Sequence, residues 1–195
     1  MPHTFRFEPP EPRPGSITRP RLLRALLGRW EHQVTSVIGG PGLGKTTLLA
    51  QSLAENRLAP RGHDVWIGLE AADAEAGSLA RDLLLALEPD PAASAGGDRP
   101  SPRVVADALW RRAPGEVCLV LDNVHLIRLG SPGAAWLSEL VEALPANGHM
   151  LLSSRSALPV PVVRLATRGA LLRIGEDDLR FSEEEMTGFA LRHDI

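Results

Sequence analysis

The residues Gly39-Gly40-Pro41-Gly42-Leu43-Gly44-Lys45-Thr46 place glycines, a lysine and a hydroxyl at a spacing suited to holding phosphate. They fit the Walker A pattern, G-x-x-x-x-G-K-[ST]. Glycines let a backbone wrap around an anion with its N–H groups pointing inward, and a helix starting at the end of the loop adds the positive end of its dipole. In such a loop Gly40, Pro41, Gly42, Leu43, Gly44, Lys45, Thr46 and Thr47 surround the phosphates of a nucleotide, ATP or ADP. Lys45 then reaches the β- and γ-phosphates, and the Thr46 hydroxyl sits on Mg2+, which keeps several waters and needs few protein ligands. Lys45 is the single lysine beside 20 arginines. A compact ammonium fits inside a tight phosphate loop where a broad guanidinium fork does not, which accounts for the exception.

A magnesium site built on Thr46 needs a carboxylate. Asp122 ends the apolar run Val117 to Asp122, expected as a buried strand beside the strand that carries the phosphate loop, and it is the first candidate. Glu70, which follows a shorter apolar run, is the competitor. Asp122 would also serve to cap the turn that follows it. The next residue is Asn123, and an amide cannot accept a proton from an attacking water, so turnover is expected to be slow. His125 either orients water or packs in a turn. Arg155 follows a run expected as the fourth strand and either senses the γ-phosphate or is an ordinary surface arginine, with Ser153 and Ser154 as lesser polar candidates. The expected catalytic group is therefore Lys45, Asp122 and Arg155, with Thr46 and Asp122 on the metal.

These residues must be held by elements of the right kind. Val34 to Ile38 is a short β-rich run before the glycine loop, and Thr46 to Leu58 has Leu48, Leu49, Leu53 and Ala54 at helical spacing. Upstream, Pro20 suits the first turn of a short helix with Leu22, Leu23, Leu26 and Leu27 on its apolar face and Gly28 as its stop. Downstream, strands are expected at Val65 to Leu69, Val117 to Asp122, His149 to Ser153 and Leu171 to Ile174. Helices are expected at Leu79 to Leu87, Arg103 to Arg112 and Ala134 to Leu144, and again after Ser182 as N-cap with Glu183 to Glu185 in the first turn. Pro89 to Pro102, rich in Pro, Ala, Gly and Ser, is expected as a surface loop inside the domain. Alternating strands and helices predict an α/β protein, a three-layer α/β/α sandwich on a mostly parallel sheet of about five strands.

The chain has 195 residues, 44% of them hydrophobic, enough for one compact domain. With a net charge of -3 and a pI near 6.1, direct DNA binding by this segment is not expected, because no general basic surface exists to neutralise phosphates. The lone Cys118 lies in an apolar run and is expected as a core thiol. No stretch has the apolar core of a signal peptide or the length of a membrane span, so no membrane association and a cytoplasmic location are expected.

Several stretches together resemble a known family. Arg19-Pro20-Arg21-Leu22-Leu23, the loop Gly39 to Leu49, Leu119-Val120-Leu121-Asp122-Asn123-Val124-His125, Leu151-Leu152-Ser153-Ser154-Arg155 and Leu179-Arg180-Phe181-Ser182 are similar to the nucleotide-binding domain of the STAND class of P-loop ATPases. Within that class the likeness is to the maltose-regulon-activator-like, ATP-binding LuxR-type transcriptional regulators. The resemblance implies a P-loop NTPase domain of AAA+/STAND type over residues 18–195, behind an extended proline-rich lead-in over 1–17, ending before a helical lid. It implies that Arg19 and Leu22 help hold the adenine, that Arg155 is a sensor, and that the domain is a regulatory ATP switch acting on protein partners or downstream output domains. It also sharpens the significance of Asn123, since family members commonly carry a second aspartate there. The alternative function is a stand-alone P-loop ATPase or kinase in metabolism or transport.

Overall fold

The computed structural model describes residues 4–12, 15–87 and 100–193. Its strands are β1 (Val34–Ile38), β2 (His63–Gly68), β3 (Val117–Asp122), β4 (Gly148–Ser154) and β5 (Leu171–Ile174). They form one sheet in the order β2-β3-β4-β1-β5, with every pair parallel. The helices are α1 (Pro20–Leu27), α2 (Lys45–Leu58), α3 (Ala76–Leu87), α4 (Pro102–Trp110), α5 (Pro132–Ala143), α6 (Val162–Thr167), α7 (Glu176–Leu179) and α8 (Glu183–His193).

Side chains alternate across a strand, so the uninterrupted apolar runs of β3 and β4 feed two cores at once. On one face Leu119, Leu121, Met150 and Leu152 pack with residues of α3, α4 and α5, including Leu83, Leu109 and Leu137. On the other, Cys118, Val120 and Leu151 pack with Leu22, Leu23 and Leu26 of α1 and Leu48, Leu49 and Leu53 of α2. Burial pushes the Cys118 thiol far above its usual range, so it serves the core as a small hydrophobe.

The expected strand order needs one correction. The Asp122 strand is not the neighbour of the phosphate-loop strand, because β4 lies between β3 and β1. Both β3 and β4 are buried along their whole length and demand a neighbour on each side, a requirement that periodicity registers without ordering the strands. Two apolar stripes also shift. Leu27 and Ala54 face solvent, while Ser52 and Asn56 turn inward on α2. Asn56 is satisfied there by donating to Gly62 O at 3.0 Å and to Asp64 Oδ2 at 2.8 Å. The same Asp64 carboxylate receives a two-pronged contact from the buried Arg29, whose Nε and Nη2 lie 3.2 and 3.0 Å from its two oxygens. Burial nonetheless raises the Asp64 pKa, with Arg29 opposing the rise.

Most other elements lie within a few residues of expectation. Ser182 caps α8 by accepting from Glu185 N at 3.2 Å, and Glu185 returns the bond by accepting from Ser182 N at 3.0 Å. After α1 the chain continues through Gly28 into a 3-10 turn, Gly28–Trp30, with Gly28 in a right-handed conformation. The expected loop falls largely on residues 88–99, outside those described. The lead-in forms a 3-10 turn, Thr4–Phe7, beside the edge strand β2. Arg6 fastens it with ion pairs to Asp73 at 2.6 Å and Asp82 at 3.0 Å. Among the described residues no helix is long and apolar enough to cross a membrane.

Candidate functional site

The C-terminal ends of β1, β3 and β4 meet where the phosphate loop leaves the sheet. Gly42 and Gly44 hold φ of 81° and 72°, the left-handed region in which a side chain is strained, and Gly44 leads directly into α2 at Lys45. Lys45 is 8% exposed. Its Nζ donates to Gly39 O at 2.6 Å and to Gly40 O at 2.7 Å, closing the loop on itself. Burial lowers its pKa most, the Arg155 charge lowers it further, and Asp122 and Glu176 oppose the shift. A partly desolvated ammonium in this setting gains from an incoming anion.

Thr46 Oγ1 donates to Asp122 Oδ2 at 2.8 Å, joining α2 to the end of β3 across the intervening β4. Asp122 is 3% exposed, and its Oδ1 is buried without a hydrogen-bond partner. Such an orphaned carboxylate oxygen is costly unless a cation or donor completes it. Thr46 and Asp122 also line a cavity of about 420 Å³ under the lead-in, roomy enough for a hydrated ion. Among the described residues no three His, Cys, Asp or Glu side chains converge to hold a metal by themselves. The hydroxyl and carboxylate therefore fit Mg2+ in a set completed by phosphate and water.

The other sequence candidates separate in the structure. Arg155 is exposed and follows Ser154, which pairs with Ile38 and accepts from Gly39 N at 3.2 Å, so the arginine emerges beside the start of the loop. His125 lies on the 3-10 turn Val124–Leu126, with Nδ1 buried and unpartnered. Its pKa is lowered by burial first, then by Arg155 and Lys45, with Asp122 opposing, so it stands within the field of all three charges. Asn123 has φ 64°, a left-handed conformation that asparagine tolerates better than most residues.

Glu70 and the two serines are committed elsewhere. Glu70 caps the 3-10 turn Ala71–Ala74 and faces Arg6 at 3.9 Å. Ser153 and Ser154 are buried, and Ser154 Oγ accepts from Ser156 N at 3.2 Å in the turn after β4.

Leu22 requires correction as a base contact. Leu22 is buried in the core between α1 and the sheet, where a base cannot reach it. Arg19, 4% exposed, spends its guanidinium on the protein. Nη1 donates to Leu43 O of the phosphate loop at 3.3 Å, and Nη2 to Leu179 O at 2.6 Å and Arg180 O at 3.1 Å. Nε lies 3.4 Å from Glu185 Oε2 of α8, and the group sits 4.7 Å from the centre of the Phe181 ring. Burial lowers its pKa, with Glu185 opposing.

Arg19 also lines, with Ile17, Gly44, Thr47, Gln51 and Phe181, a pocket of about 190 Å³. Thr47 and Gln51 stand four apart on α2, a spacing that puts them on one face and was readable in advance. Ile17 and Phe181 come from opposite ends of the chain and had no local signal. Nor did Glu176 at the start of α7, whose Oε2 accepts from Gly40 N at 3.3 Å.

The chain is 26% identical over 191 residues to the HTH-type transcriptional regulator MalT of Yersinia enterocolitica, covering 90% of this chain and 20% of that protein. It is 27% identical over 196 residues to MalT of Vibrio cholerae, covering 91% of this chain and 21% of that one. It thus spans about a fifth of the length of these relatives. The fold is shared with Cdc6p of Pyrobaculum aerophilum, at a TM-score of 0.61 and 16% identity over 95% of this chain and 52% of that one. The Orc1 protein of Aeropyrum pernix, solved in complex with DNA, gives a TM-score of 0.60 at 14% identity over 93% of this chain and 50% of that one. A family model described as an AAA domain matches residues 29–163, and the chain belongs to that family.

Proposed function

We propose that this chain is a regulatory switch that binds ATP or ADP with Mg2+, hydrolyses ATP slowly, and passes the difference between the two nucleotides to other protein segments of a MalT-like transcriptional regulator. In this reading the loop amides and Lys45 hold the β- and γ-phosphates, Thr46 and Asp122 hold the metal, and Arg155 meets the γ-phosphate. The metal supplies neutralisation of phosphate charge. The base enters the pocket between Ile17, Thr47, Gln51 and Phe181.

The observation that carries the switch reading is the placement of Arg19. One guanidinium touches the phosphate loop at Leu43, the end of α7 at Leu179, and α8 at Glu185. A change in the loop on nucleotide binding therefore acts directly on the helix that leads out of the sheet. Protein partners, rather than DNA, are the proposed recipients, in keeping with the net charge of -3.

Slow turnover follows from the same residues. Asn123 cannot take a proton from water, and Glu70 is held by Arg6 and its own turn. His125, kept neutral by burial and two nearby cations, is the remaining group able to orient a water. Steady-state ATP hydrolysis should stay below about 1 per second, under the median near 10 per second for enzymes. Phosphate-release assays reporting tens of turnovers per second would reject the slow-switch reading.

A further inference from the structure

We infer that Gln51 sets the base preference of the nucleotide pocket, favouring a purine with an exocyclic amine, as in adenine, over one with an oxo group at that position. The inference rests on the nucleotide-binding reading, with the base between Ile17, Thr47, Gln51 and Phe181, and adds which residue chooses the base. Apolar surface in such a pocket gives affinity, and a few fixed polar groups give selection. Ile17, Leu48 and Phe181 supply the first.

The polar groups that can select are fewer than the lining residues suggest. Arg19 carries a cation to the pocket wall, yet its Nη1 donates to Leu43 O and its Nη2 to Leu179 O and Arg180 O. Those nitrogens are already engaged. The Thr47 hydroxyl donates or accepts by rotating, so it does not tell an amine from an oxo group. The Gln51 carboxamide does, because Nε2 donates to Ile17 O at 3.1 Å and this bond holds the group in one orientation. Only the amino branch of a carboxamide donates to a carbonyl, so Oε1 is fixed as an acceptor.

Both partners in this bond therefore offer lone pairs to a base. The Ile17 carbonyl has a second lone pair beyond the one facing Nε2, and Oε1 has two. An exocyclic amine brings donors to such an edge, whereas an oxo group sets acceptor against acceptor. Selection follows from that mismatch. Gln51 shares α2 with Lys45 and Thr46, and Gly44 of the phosphate loop also lines the pocket, so base and phosphates are held at a fixed separation.

The test is calorimetric titration of ADP, inosine diphosphate and pyrophosphate, each with Mg2+, into wild type and Gln51→Leu. Inosine diphosphate carries the ribose and phosphates of ADP with an oxo group in place of the amine, and pyrophosphate reports on the loop alone. Leucine keeps the helix propensity and removes the carboxamide. Wild type is expected to prefer ADP over inosine diphosphate by roughly tenfold, and Gln51→Leu to bring the two within about twofold while leaving pyrophosphate within about twofold of wild type. A preference that survives in Gln51→Leu overturns the inference, as does parallel weakening of all three ligands, which marks a structural effect. Wild type that binds both diphosphates equally overturns it too. Wild type that binds pyrophosphate but neither nucleotide, or none of the three, overturns the underlying reading, a result distinct from the others.

Discussion

Lys45→Ala is expected to weaken ATP binding in the presence of Mg2+ by about a hundredfold or more, the largest effect of any single substitution on this site. The variant removes the charge that meets the β- and γ-phosphates and also the two bonds, at 2.6 and 2.7 Å, that close the loop on Gly39 O and Gly40 O. Lys45→Arg should not rescue it. A guanidinium presents a wide planar fork where the loop offers two carbonyls within reach of one nitrogen. Because burial and Arg155 already lower the ammonium's pKa, binding should also fall at alkaline pH earlier than an ordinary lysine would dictate. Phosphate favours the charged form, so binding on that alkaline side takes up protons. Calorimetry of both variants, and of wild type across alkaline pH in buffers of different ionisation heat, measures each of these effects.

Arg19→Ala should have a large effect on stability, a loss of about 3 kcal/mol, because it leaves the buried Glu185 with only the more exposed Arg21, 3.8 Å away. Three carbonyls, of Leu43, Leu179 and Arg180, lose a donor at the same time. Against a total of about 5–15 kcal/mol for a typical domain, this is a severe change, visible in urea melts as a lower midpoint. Glu185→Gln is the milder companion. It keeps an oxygen facing Arg19 and its own capping bond to Ser182 N, so it should fold nearly normally while loosening α8 from the loop. A loss for Arg19→Ala no greater than that for an exposed arginine such as Arg180 would contradict the geometry.

The parts of the site within a few residues of each other were legible in the sequence. Glycine positions, Lys45 and Thr46 define the loop by spacing alone, and the apolar run ending at Asp122 announced a strand with a carboxylate at its tip. Asp122 does meet Thr46, although β4 intervenes between their strands. What stayed hidden depends on tertiary partners. Arg19 reads as a base contact and does line the pocket proposed for the base, but its grip on Leu179 O and Glu185 depends on α7 and α8, which no local pattern announces. The apolar spacing that marked Leu22 as a helix residue also made it a core residue, and those two facts already competed with nucleotide contact. Glu70 reads as a carboxylate at a strand end, and its partner Arg6 lies in a proline-rich stretch whose lack of periodicity gives no sign of the pairing. Helices as short as α6 and α7 span too few residues for a period to show.

The central claim is that the nucleotide at the loop governs α7 and α8 through Arg19. Amide hydrogen exchange over residues 176–193, with ADP and with a non-hydrolysable ATP analogue, each saturating with Mg2+, tests it most directly. The account predicts different protection of α8 in the two states, and loss of that difference in Glu185→Gln. Identical protection in wild type, with both nucleotides shown to be bound, would contradict it.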